Sequence, residues 1–148
     1  MLKLAFVGSA AVLGTSAKQD QIHQQDMSAL NTGMVDYLKT RGDAGVRDMR
    51  AAIQLCVRTQ LKPDVPDVYV VGVTDIFMQN LKAAQLNNIG AQAEAMTFKR
   101  KKMSQLRAQT KILPKKQARR LAQALPKTWR ITQKTRPCVV EKLAIPSA

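Results

Sequence analysis

The sequence has few of the side chains that do chemistry. Its 148 residues include a single histidine, His23, and two cysteines, Cys56 and Cys138. A Ser-His or Cys-His nucleophilic pair would have to use His23, which lies among Gln and Asp and reads as a polar residue on a helix surface. Two cysteines so far apart do not make a zinc site, and there is no C-x-x-C redox motif. A Gly-rich phosphate loop, an H-E-x-x-H pair and an Asn-x-Ser/Thr acceptor are all missing. Asp64, Asp67 and Asp75 fall around predicted turns and a helix start, where capping accounts for them. These absences point away from an enzyme, and no cofactor or metal is expected.

Aromatic residues are scarce too, at 4% of the chain against 45% hydrophobic residues overall. A core must then be built from Leu, Ile, Val, Ala and the seven Met, which makes it aliphatic and adaptable. Long apolar runs are confined to the start. Met1–Ala17 has a positive Lys3, an apolar stretch over Leu4–Gly14 and small residues at Thr15-Ser16-Ala17, the three parts of a secretory signal. It falls short of the roughly twenty apolar residues a lone membrane span needs. Two readings stand: a signal that is cleaved, or a retained apolar helix that buries against a neighbour or, through residues 2–17, enters a membrane.

The third scarcity is local. Residues 1–95 carry nine Lys or Arg and nine Asp or Glu, and so sum to zero. Residues 96–148 carry fifteen Lys or Arg against one acid, Glu141, so the whole net charge of +14 sits in the last third. An asymmetry of this size divides the chain into an apolar segment 1–17, a charge-neutral helical docking module 18–95 and a basic polyanion-binding arm 96–148. The polyanion-binding residues expected are Lys99, Arg100, Lys101, Lys102, Arg107, Lys111, Lys115, Lys116, Arg119, Arg120, Lys127, Arg130, Lys134 and Arg136. Trp129, with Lys127 and Arg130 beside it in sequence, is a candidate for stacking on a base, against the plainer reading of a core or interface tryptophan.

What remains is mostly helical pattern. Lys18–Thr40 is predicted to be an amphipathic helix that ends at Arg41-Gly42, with Asp43 opening a second helix that stops at Lys62-Pro63. Pro63–Asp67 is a turn-rich connector. Val68–Val73 is rich enough in β-branched and aromatic residues to be a short strand, with a third helix starting at Thr74 or Asp75. Asn87-Asn88 and Gly90 should break that helix. Two basic helices follow, separated by Pro114, and the alternation over Thr128–Lys134 predicts an exposed strand. The expected fold is mainly α: a small helical protein with an apolar N-terminal helix, at most one or two short strands and an extended basic arm.

The expected function is that of a non-enzymatic structural or assembly protein in a nucleic-acid-containing particle, a virion or a ribonucleoprotein. It would contact RNA or DNA phosphates and neighbouring protein subunits. The alternative is a small exported protein, periplasmic or secreted, in which Cys56 pairs with Cys138 and the basic surface meets an anionic surface or acidic partner. A disulfide closing a loop of that length is worth about 4 kcal/mol.

Overall fold

A computed structural model describes the backbone of residues 16–146 and the side chains of residues 27–146. Residues 1–15, which make up all but the last two residues of the signal-like segment 1–17, lie outside the described residues. The rest is helical: α1 (Ser16–Arg58), α2 (Asp67–Leu86), α3 (Ile89–Gln109), α4 (Lys115–Ala124), a single 3-10 turn (Leu125–Lys127) and α5 (Thr128–Lys142), with no strand among the described residues. α1 packs against α2 and α5, α2 packs against α3, and α4 with its 3-10 turn carries the chain back to α5.

Local signals set most of the boundaries. Gly42 breaks α1 with φ 61° and ψ −141°, a combination open to glycine and costly for a residue with a Cβ. The chain therefore turns where Arg41-Gly42 predicts, and helix resumes at once. Between α2 and α3 two asparagines divide the work. Asn87 takes the left-handed conformation that closes α2, and the Asn88 side chain accepts a 2.7 Å hydrogen bond from the Ala91 N–H to open α3. Pro114 stands immediately before α4, where a missing N–H costs nothing.

Two expectations fail, and they fail together. Val68–Val73 is not a strand but the first turns of α2, which begins at Asp67 and not at Thr74 or Asp75. Thr128–Lys134 is not an exposed strand but the start of α5. In each case burial at helical spacing outweighs β propensity. Tyr69, Val73 and Phe77 lie on the inner face of α2, and Thr128, Ile131 and Thr135 on that of α5. The two segments meet: the Tyr69 hydroxyl lies 2.8 Å from Thr128 Oγ1 and donates to the Ala124 carbonyl at 3.3 Å. Burial raises the pKa of this phenol above its ordinary value, so it stays protonated.

One aliphatic core runs through the molecule. Met34, Met49, Ile53, Val57, Val73, Leu121 and Val139 are fully buried, and Leu106, Ala124, Ile131 and Ile145 join the same cluster. At Gly72 a Cβ would come within 3.1 Å of Leu106, so glycine is what lets α3 seat that leucine against α2. The charge boundary at residues 95 and 96 falls inside α3 and is not a boundary of packing. Residues beyond it supply Leu106, Leu121, Ala124, Ile131, Val139 and Ile145 to the core shared with the neutral part. Cys56 of α1 and Cys138 of α5 form a disulfide, Cα to Cα 5.9 Å, that ties the two parts together.

Candidate polyanion-binding surface and cleft

The fifteen basic residues after position 95 divide by what faces them. Four are engaged. Lys102 lies 3.6 Å from Asp75, which also receives Arg50 at 2.7 Å. Asp64 accepts from Arg120 Nε at 2.9 Å and has Lys116 at 3.7 Å. These contacts, the Arg120 hydrogen bond first, hold the Asp64 carboxyl below the usual carboxylate range. Asp64, Asp67 and Asp75 are thus ion-pair partners and not caps; Asp67 takes Arg58, and no side chain caps the start of α2.

Arg136 is the fourth. Its guanidinium lies 4.9 Å from the centre of the Phe77 ring, donates to Asn31 Oδ1 at 2.8 Å and to the Thr132 carbonyl at 3.0 Å. Burial lowers its pKa from the ordinary arginine value, and neutral acceptors with a ring face keep the charge in place. Arg136 therefore belongs to the packing between α5, α1 and α2, and is not free to meet a ligand.

The other eleven are exposed and have no carboxylate within salt-bridge distance among the described residues. They are Lys99, Arg100, Lys101 and Arg107 on α3, Lys111 after it, Lys115 and Arg119 on α4, Lys127 in the 3-10 turn, and Arg130, Lys134 and Lys142 on α5. Exposed ion pairs contribute only about 0–1 kcal/mol each, so folding asks little of such positions.

Five basic side chains converge on one cleft of about 360 Å³ between the end of α1 and the start of α5. Lys62 and Gln60 stand on one wall, Lys127, Arg130 and Lys134 on the other, and Arg120 and Gln123 on the α4 side. Leu61, Val65, Ala124 and Ile131 make an apolar floor, and no carboxylate among the described residues lines the cleft. The walls are held at fixed separation. Gln60 Nε2 donates to the Ile131 carbonyl at 3.2 Å and to Thr135 Oγ1 at 3.0 Å. Cys56 and Cys138 stand one helical turn behind Gln60 and Lys134, so the disulfide clamps the same two walls. A larger cleft of about 460 Å³, between α1, α2 and α3, holds the Arg50–Asp75 pair, with Lys82 as its other charged side chain.

Trp129 is 66% exposed. Its sequence neighbours do not flank it as an extended chain would allow. At about 100° per helical residue, Trp129 lies roughly 160° around α5 from Lys127, and it does not line the cleft. Lys62, Gln60 and Gln123 were not expected at the site. The signal that places Gln60 and Lys62 beside Lys134 is the Cys56–Cys138 pair, taken as a bond and followed one turn along each helix.

Compared with known proteins, the chain matches no family model, no curated protein and no solved structure.

Proposed function

We propose that this is a non-enzymatic polyanion-binding protein of an oxidising compartment, which meets a phosphate-rich polymer through the cations of α3, α4 and α5. One observation carries the reading: eleven basic side chains stand exposed, without carboxylate partners among the described residues, on or beside helices whose inner faces are already packed. Such a surface repels itself and lowers stability until something neutralises it. Phosphates do so with release of condensed counterions, which makes the binding steeply salt-dependent.

The Cys56–Cys138 bond supports the exported setting over an assembly kept in a reducing cytosol, where structural disulfides are rare. Membership of a nucleic-acid-containing particle, with neighbouring protein subunits, is the second reading. The extent of the cation surface favours it, and a virion that leaves its cell accommodates both.

Two measurements test the proposal. Intact mass of the protein from its own host, taken without reductant, should begin at Lys18 and be two hydrogens light. A chain starting at Met1 or Leu2 with both thiols free would remove the exported setting. The logarithm of the affinity for nucleic acid should fall linearly with the logarithm of salt concentration, with a slope of about 0.7–0.9 per phosphate engaged. A flat salt dependence would remove the phosphate reading.

A further inference from the structure

The basic cleft differs from the rest of the cation surface in having two charged walls and a floor. Its size, about 360 Å³, lies in the range of sites that enclose small ligands, roughly 300–1,000 Å³. Along one wall Lys127, Arg130 and Lys134 rise one helical turn at a time, covering about 10 Å, close to one Debye length at moderate salt. Their fields therefore add along the cleft. Lys62 faces them from the neutral part of the chain, so an occupant meets positive charge on both sides.

We infer that this cleft seats one unstacked nucleotide of a single-stranded nucleic acid, which rests on the polyanion reading above and adds strandedness to it. The apolar floor of Leu61, Val65 and Ile131 takes the base, an apolar face that a duplex keeps stacked inside. Phosphates on either side of that nucleotide fall between Lys62 and the row of Lys127, Arg130 and Lys134. The Gln123 amide stands at the rim, where base edges offer acceptors. Beyond the cleft, Arg107, Lys111 and Arg119 offer charge to the rest of the strand. A duplex meets that outer surface but cannot enter.

An acidic peptide is the competing occupant, since an aliphatic side chain would also suit the floor. The extent of the outer cation surface, on α3 and α4 as well as α5, favours a long chain with an anion on every unit.

Fluorescence anisotropy of the oxidised, full-length protein separates these cases, at near-physiological salt, with four probes: a single-stranded oligonucleotide, its duplex, an abasic strand with the same phosphates, and poly-glutamate. The single strand should bind at least about tenfold tighter than the duplex and about tenfold tighter than the abasic strand. Lys127→Gln with Arg130→Gln and Lys134→Gln should abolish that preference, and Lys62→Gln alone should reduce it. Arg100→Gln with Arg107→Gln and Lys111→Gln should weaken single strand and duplex alike. All these positions are exposed, and thermal melts of each variant check that the fold is kept. Equal affinity for single strand, duplex and abasic strand would overturn the cleft assignment and leave the polyanion reading standing. Binding of poly-glutamate alone, or of no probe, would overturn both.

Discussion

Residues 16–95 and residues 96–146 contribute to the same core and treat charge in opposite ways. In the first part Asp64, Asp67 and Asp75 each take a basic partner, and two of the three reach across to bases of the second. The second part has only Glu141, which makes no ion pair among the described residues, and leaves eleven cations facing outward. Packing does not explain the contrast, because Leu121 and Val139 are buried as completely as Met34 or Ile53. Helical spacing at the inward positions specifies the core, and the outward positions are free to carry whatever charge the function needs. The basic third is part of a shared fold, and apart from the packed Arg136 its unpaired charge is a property of the surface.

If that contrast is right, separating the two parts should cost more than any change within either. Replacing Cys56 and Cys138 together by Ser opens a loop with a sequence separation of 82 and should cost about 4 kcal/mol, read as a fall in Tm of roughly 10 °C. A variant as stable as the parent would mean that the two parts hold together without the bond. Leu121→Ala comes next. It removes a fully buried side chain of the basic third and should cost about 3 kcal/mol in denaturant unfolding, with a single transition for the whole chain. A separate early transition for residues beyond 95 would break the comparison.

Gly42→Ala probes the neutral part alone. No atom lies within 4 Å of the added Cβ, so the cost is backbone strain, about 1–2 kcal/mol. The smallest effect concerns the ion pairs across the boundary. The Asp64 carboxyl is more acidic in the folded protein than in the unfolded chain. Its contribution is therefore present above about pH 4 and is lost as pH falls through the lower, folded value. The stability difference between parent and Asp64→Asn should shrink as a pH titration passes below about 4, and a difference that stays constant would exclude the pair as its source.

Much of the fold is legible in the chain because its signals are local. Gly42, Asn87-Asn88 and Pro114 mark their breaks by backbone chemistry that needs no distant partner. Val68–Val73 and Thr128–Lys134 mislead because six or seven β-branched and alternating residues cannot show which face will be buried. Both are helical because their inner faces are buried, and Tyr69 and Thr128 meet where the two come together. The charge asymmetry of the last third is plain from composition, yet four of the fifteen cations turn out to be held by Asp75, Asp64 or Asn31 and Phe77. The cleft is the least legible feature, since Lys62 and Gln60 reach Lys134 only across the α1–α5 contact.

The most direct test of the surface assignment removes the same charge from each part. Lys39, Arg47 and Lys82 are exposed cations of the neutral part without salt-bridge partners among the described residues, and all three are changed to Gln. In a second variant Lys127, Arg130 and Lys134 are changed to Gln. The two proteins then have equal net charge, and their affinities for a single-stranded oligonucleotide are compared across a salt series. The expected result is a salt slope close to the parent's for the first and lower by about 2 for the second. Equal losses in both would contradict the assignment, because binding would then follow total charge and owe nothing to where the charge stands.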